Sequence, residues 1–435
     1  EERNGLTGES FEAWRWNSGM VLSTGPRLLL FLSAIGSQIE RQHYPDDSGG
    51  WLYAVSDELD TNRSQDTGAQ VTGRFQLAEA TELIARGSWY RLEEADTSPG
   101  VPPGERDPFG IPANIFDNVL ERKRAQGYIR HLFAPGFAVV AGAEFTDEIG
   151  TSVSLVSYPF GQIPGTYELQ TKTNSLFTET AFTPLPGHQA DLAVRWDDID
   201  RIGTVRTSRA SYQVDLPSLQ ASIRLAYGEG FKKPSLFALG NPLVGNPGLR
   251  PEESDLLELN INWQSAEGRV GSRLTVFTQD FTDLIDLSES APPKLVNLQS
   301  VQSDGISAAV YYRHERVEEL SLHVTWLDVE VKDSEELLRN RPKWKAGLSA
   351  TIRIADEVFV DFHTLYIGER QDSSIPTGTL TLDDYFQTDL GLRWQLRQGL
   401  WASVIIENLW DTKYEATVGM PDPGRRVRAG IRWIY

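Results

Sequence analysis

Between Arg425 and Tyr435 nearly every second residue is apolar or aromatic. Val427, Ala429, Ile431, Trp433 and Tyr435 share one face, and Arg426, Arg428, Gly430 and Arg432 share the other, with Ile434 out of pattern. Successive side chains of a strand point to opposite faces, so this segment meets two different solvents. The pattern recurs along the chain. Ala69, Val71, Gly73, Phe75 and Leu77 oppose Gln70, Thr72, Arg74 and Gln76; Phe137, Val139, Ala141, Ala143 and Phe145 share a face, as do Leu219, Ala221, Ile223, Leu225 and Tyr227. Trp344, Ala346, Leu348, Ala350 and Ile352 oppose Lys345, Ser349, Thr351 and Arg353, and Phe386, Leu390, Leu392, Trp394 and Leu396 oppose Gln387, Asp389, Arg393 and Gln395. A soluble sandwich also alternates, with strands of about 5–6 residues. Several runs here reach about ten or more, the length a tilted strand needs to cross a bilayer.

The connections are of two kinds. Short turns sit at 23–26, 134–136, 185–188, 215–218, 265–268 and 397–399. Long polar connections sit near 42–65, 96–117, 150–171, 229–252, 284–295, 332–340, 369–381 and 411–423. Short turns on one side and long loops on the other are the asymmetry of outer-membrane barrels. The expected fold is therefore all-β: one large antiparallel transmembrane β-barrel domain over residues 1–435, with lipid outside and water or a plug inside. About nineteen strands are legible. The first, near residues 11–22, and the last both run toward the short-turn end. A closed bacterial barrel has an even number of strands, so at least one more is expected than can be read.

Composition removes the competing classes. The chain has 435 residues, of which 40% are hydrophobic. Its longest apolar stretch, Leu28 to Ile35, falls far short of the about 18 residues of a membrane helix. It contains no cysteine, which excludes disulfides, thiolate metal sites and thiol catalysis. A net charge of −20 argues against a nucleic-acid partner. The acidic residues gather in connections: Asp46-Asp47, Asp57-Glu58 with Asp60, and Asp333 with Glu335-Glu336. The opening Glu1-Glu2-Arg3-Asn4 carries no leader pattern and reads as a processed form or a fragment.

Two segments go beyond generic barrel patterning. The first is Tyr227-Gly228-Glu229-Gly230-Phe231-Lys232-Lys233-Pro234-Ser235-Leu236, continued by Gly245-Asn246-Pro247-Gly248-Leu249-Arg250-Pro251-Glu252-Glu253-Ser254. The second is Glu407-Asn408-Leu409-Trp410-Asp411-Thr412-Lys413-Tyr414-Glu415, followed by Pro423-Gly424-Arg425 and the terminal strand. Physically, Gly228 and Gly230 permit a bend, and the prolines end a ladder and shape a loop. Asn408 and Asp411 suit a turn, while Trp410 and Tyr414 suit a membrane interface. In order and spacing the two segments resemble the C-terminal barrel of TonB-dependent outer-membrane receptors.

The resemblance implies a barrel of about 22 strands in the bacterial outer membrane, with lipid around it. It implies a receptor and transporter for a scarce small-molecule chelate (ferric siderophore, haem or cobalamin), energised through the TonB complex by way of a plug domain. Neither plug nor TonB box is recognisable, and strand patterning starts near residue 10, so the plug and roughly three strands are expected to lie outside this chain. The alternative is a passive porin-like channel. A surface enzyme of barrel protease or lipase type is the third class, but no nucleophile elbow, phosphate loop or zinc motif is present.

Candidate site residues are few. The six histidines are scattered and form no close-spaced ligand pair. No cofactor motif is found. The one metal expectation is a structural calcium on the loop carboxylates Asp46, Asp47, Asp57 and Asp60, because hard cations take oxygen ligands. The loop aromatics Trp51, Tyr53, Tyr158 and Tyr167 are the expected contacts to an apolar chelate.

Overall fold

The structure, a computed structural model, describes residues 9–288, 293–332 and 338–434, apart from the Gln299 side chain. Tyr435, the opening residues Glu1 to Asn4, and Asp333, Glu335 and Glu336 lie outside the described residues.

Wall strands follow the chain in order: β1 (Ser10–Ser23), β2 (Leu28–His43), β3 (Asp60–Ala78), β4 (Thr81–Ser98), β5 (Asn114–Ala134) and β6 (Phe137–Tyr158). A short hairpin arm, β7 (Gly161–Pro164), precedes β8 (Tyr167–Phe182), β9 (His188–Ile199), β10 (Gly203–Leu216), β11 (Ala221–Lys232), β12 (Glu252–Gln264) and β13 (Val270–Leu287). Then come β14 (Leu295–Tyr312), β15 (Val317–Val331), β16 (Trp344–Ala355) and β17 (Val358–Ile367). Loop strands β18 (Arg370–Ser374) and β19 (Gly378–Leu382) lead to β20 (Tyr385–Arg397) and β21 (Leu400–Glu407). A second loop pair, β22 (Glu415–Thr417) and β23 (Met420–Pro421), leads to β24 (Arg426–Trp433). Two short helices, α1 (Gly50–Tyr53) and α2 (Leu236–Gly240), lie in loops. One sheet holds twenty strands. Besides β7 these are nineteen wall strands, each antiparallel to the next in sequence.

Register fixes the two faces. Val360, Leu392, Val404 and Ala429 are cross-strand partners in one row. The neighbouring row holds Phe359, Arg393, Ser403 and Gly430. Leu392 is 45% exposed although apolar, as a side chain facing hydrocarbon must be. The inner row is tied by polar contacts: Arg393 grips Asp361, and the Thr351 hydroxyl donates to the same carboxylate at 2.8 Å. Arg353 and Arg393 each lie over the Phe359 ring, 5.7 and 5.4 Å from its centre. Exposed Trp196 and Trp344 stand near the long-loop end of the outer face, and Trp263, Trp394 and Trp433 near the short-turn end, the two interface belts of a membrane barrel.

Inside, glycine lets aromatic rings lie flat on the wall. A Cβ at Gly305 would meet the Phe277 ring at 2.2 Å, and one at Gly142 would meet both Tyr128 and Phe177. These rings cover backbone without projecting far into the lumen.

Two features differ from the sequence reading, and a third agrees with it. The strands are longer than a crossing needs: β5 and β6 have 21 and 22 residues and stay paired from Ala134–Phe137 up to Asn114–Val156. Polar cross-strand bonds such as Asn62 to Asp96 at 3.1 Å continue the ladders above the bilayer. The connections expected at 42–65, 96–117 and 150–171 are correspondingly shorter. Second, short and long connections do not alternate strictly. On the long-loop side, β9 passes to β10 through residues 200–202 alone, with Arg201 at φ 68. As expected from the sequence, β1 and β24 run in the same direction, so an antiparallel ladder cannot join them, and none does among the described residues.

The face assignment makes a prediction. In the whole receptor refolded in lipid vesicles, Leu392→Arg destabilises by about 2–4 kcal/mol. Ser349→Asn, on the inner face, changes stability by less than about 0.5 kcal/mol. Urea titration followed by tryptophan fluorescence measures both; equal losses contradict the register.

Candidate functional site

The long-loop end of the barrel carries a roof in two parts. The first joins loop 44–59, loop 99–113, residues 338–343, loop 368–384 and loop 408–425. At its centre the Asp47 carboxylate takes Arg106 Nη2 at 2.7 Å and Arg339 Nη1 at 2.6 Å. Backbone bonds reinforce the joint: Ile375 N donates to Asp47 O at 2.8 Å, and Arg106 N to Ile375 O at 3.0 Å. The buried Arg370 guanidinium donates to the Glu415 and Ala416 carbonyls and lies 5.3 Å from the centre of the Tyr385 ring. Tyr385 stacks on Tyr414 at 3.8 Å. Tyr414, expected at the membrane interface, is instead held inside the roof, donating to Asp422 at 2.8 Å.

Asn408 organises the last loop. It is 1% exposed and sits at φ 49, a region asparagine tolerates. Its backbone N–H donates to Asp389, its side-chain amide to Thr412 O and Asp422, and its Oδ1 accepts from Thr412 N.

The second part is residues 233–251, between β11 and β12. Ser235 caps α2 by accepting from Ala238 N at 3.0 Å. The segment leans back across β9 and β10 onto the inner face of β6 and β8. Leu169, Ala238, Leu239 and Leu249 form a buried apolar cluster, with Tyr167, Leu236, Ile285 and Leu295 packed against it. Its other flank is tied to β14, where Leu295 N donates to Val244 O at 2.8 Å and Arg250 N to Asn297 Oδ1 at 2.9 Å.

Below this segment the inner wall carries an ion network. Glu148 lies between Arg122, at 2.7 Å, and Lys233. Glu144 lies between Arg124 and Arg195, the latter at 3.0 Å, and Arg195 also holds Asp197 at 2.8 Å. The three carboxylates are buried, while Arg122 and Arg124 are 47% and 45% exposed. Within this network four cations meet three buried anions, and its two most exposed members, Arg122 and Arg124, face the lumen. Sequence reading missed this network. The residues stand singly at alternate positions of three strands and a loop, and only register gathers them.

The expected site residues fall into separate groups. Trp51 and Tyr53 are exposed on α1, within the first part of the roof. Tyr158 stacks on Phe160 at 5.1 Å at the tip of β6 and stays open to solvent. Tyr167 is half-buried, and a Cβ at Gly240 would meet its ring at 2.8 Å, so it anchors the 233–251 segment. The four carboxylates do not form a cation cage. Asp47 is committed to two arginines, and no group of three or more His, Asp or Glu placed to hold a metal occurs among the described residues. Asp60 lies at the loop end of β3 with Asp96, His43 and Asp46 as its titratable neighbours, so of the four only Asp46 and Asp60 are brought near each other.

A curved antiparallel wall, apolar outside and charged inside, with one end roofed by folded loops, defines a receptor-type β-barrel. Residues 4–409 match the family described as TonB dependent receptor-like, beta-barrel, and the chain belongs to that family. It is 25% identical over 261 residues to the vitamin B12 transporter BtuB of Vibrio cholerae serotype O1, an alignment covering 56% of this chain and 40% of the transporter. The corresponding Photobacterium profundum transporter is 24% identical over 256 residues, covering 58% and 41%. The chain thus spans about two fifths of the length of the curated relatives it matches. Among solved structures, the ferric-catecholate import receptor Fiu of E. coli K12 superposes with a TM-score of 0.80 at 14% identity, over 99% of this chain and 75% of that one. The ferripyoverdine receptor of Pseudomonas aeruginosa gives 0.77 at 14%, over 98% and 65%. At such identities these structures share the fold.

The Asp47 joint has a definite pH dependence. Burial alone raises its carboxyl, but hydrogen bonds from Arg106 and Arg339 outweigh that and hold it below its ordinary 3.8. A depressed folded-state value means the stabilisation is complete above 3.8 and is lost as pH falls through the lower value. Limited proteolysis of the roof should therefore proceed faster in Asp47→Asn than in wild type at neutral pH. The difference should shrink once the pH drops below 3.8; a difference that grows in acid contradicts the assignment.

Proposed function

We propose that the chain forms the barrel of an outer-membrane receptor that takes up a scarce metal chelate or cobalamin, energised through TonB. The observation that carries this reading is the pairing of a folded roof with an ordered, charged lumen surface beneath it. An open diffusion pore has no use for a mouth bridged by five interlocked loops. The named relatives supply both ligand classes: vitamin B12 for those matched in sequence, ferric siderophores for those matched in structure. Trp51, Tyr53 and Tyr158 are the exposed roof aromatics proposed to meet the ligand. Arg122 and Arg124 offer charge-assisted donors to an anionic chelate that has passed the roof.

Expression of the whole receptor in cells lacking their own receptors tests this. Growth on ferric siderophore or cobalamin as sole source, abolished when TonB is deleted, is expected; uptake that persists without TonB marks a passive porin-like channel. Arg124→Gln should weaken an anionic ferric chelate about tenfold, about 1.4 kcal/mol, and leave cobalamin unchanged. Calorimetry on the purified receptor reads the difference.

A further inference from the structure

The shortest connection between wall strands at the roofed end, residues 200–202, lowers the rim between β9 and β10. Residues 233–251 span that sector, rooted in β11 and β12 and docked on β6 and β8. We infer that this segment is a fixed strap that closes the low side of the mouth, not a lid that swings open, so that cargo enters on the other side of it.

Close fit argues for fixity. A Cβ at Gly150 would lie 2.6 Å from Leu236 Cδ1, and one at Gly240 2.8 Å from the Tyr167 ring. Strap and wall thus each supply a glycine where the other supplies a large side chain, and the seat admits no looser copy of itself. Four residues of the buried cluster span the joint, Leu169 from the wall and Ala238, Leu239 and Leu249 from the strap. Lifting the strap exposes that cluster and takes the Lys233 ammonium from Glu148, a carboxylate only 6% exposed. A buried charge that loses a partner is expensive. The far flank is held just as closely, with Asn246 Nδ2 donating to Leu295 O and Asn297 Nδ2 to Arg250 O, each at 3.0 Å. A lid needs at least one weakly held flank to swing; this segment has none among the described residues.

The proposal rests on the receptor reading only for its transport arm. The chain has no cysteine, so Gly150→Cys with Leu236→Cys in the whole receptor creates a single pair. The Leu236 Cβ is 3.2 Å from the position of a Cβ at Gly150, so a shift of a few tenths of an ångström outward reaches the about 3.5–4.5 Å of a disulfide. The bond is expected to form nearly completely in cells, with or without added ferric siderophore or cobalamin. Transport should then stay within about twofold of wild type before and after reductant. A loss of uptake that reductant restores overturns the proposal, as does a cross-link that forms only with ligand. If wild type transports nothing, the receptor reading fails on its own. Cross-linking yield and hydrogen exchange then decide the strap: slow exchange at the Leu239, Asn241 and Asn246 amides without ligand supports it, and fast exchange refutes it.

Discussion

Everything in this molecule hangs on one uninterrupted antiparallel ladder. In a bilayer each backbone N–H and C=O must find its partner inside the protein. Nineteen sequential strands provide this by pairing each with the next. Pairing fixes register, and register fixes which residues see lipid and which see the lumen. A slip of one residue in β20 would turn Leu392 inward and Arg393 outward. That would cost the hydrocarbon contact of the first and strand the charge of the second away from Asp361. The same ladder accounts for the weak hydropathy of the chain, since lipid is met only at alternate positions.

Because the strands continue well above the bilayer, the wall is also a platform. It carries loops that fold rather than drift. Each part of the roof is organised around a few buried or half-buried polar groups with fully specified partners: Asp47 between two arginines, Asn408 among Asp389, Thr412 and Asp422, and Glu148 between Arg122 and Lys233. Buried polar groups of this kind are costly if unpaired and specific when paired. They hold an extracellular surface in one shape, which a receptor requires if it is not to spend binding energy on ordering loops.

How much of this was legible follows from the range of each signal. Alternation is local, and it placed Leu348, Leu392 and Ile431 outward and Ser349, Arg393 and Arg428 inward without any knowledge of neighbours. Family-like segments are local too, and both lie where the roof is built. Partners of loop residues are not local. Asp47 looks like a calcium ligand in sequence because four carboxylates lie close along the chain, yet its partners Arg106 and Arg339 come from distant loops. Tyr167 reads as an exposed loop aromatic until the 233–251 segment is seen to pack on it. The tight connection at 200–202 was missed because Asp200-Arg201-Ile202 carries no glycine or proline, and Arg201 takes the left-handed backbone without help.

The most direct test of the account is an accessibility scan of β16 in lipid vesicles. Spin labels placed singly from Trp344 to Ala355 in the whole receptor would be read for collision with oxygen and with a water-soluble nickel complex. Oxygen access should peak at 346, 348, 350 and 352, and nickel access at 345, 347, 349 and 351, out of phase with period two. A period near 3.6, or oxygen and nickel maxima at the same residues, would contradict a two-faced barrel wall and everything built on it.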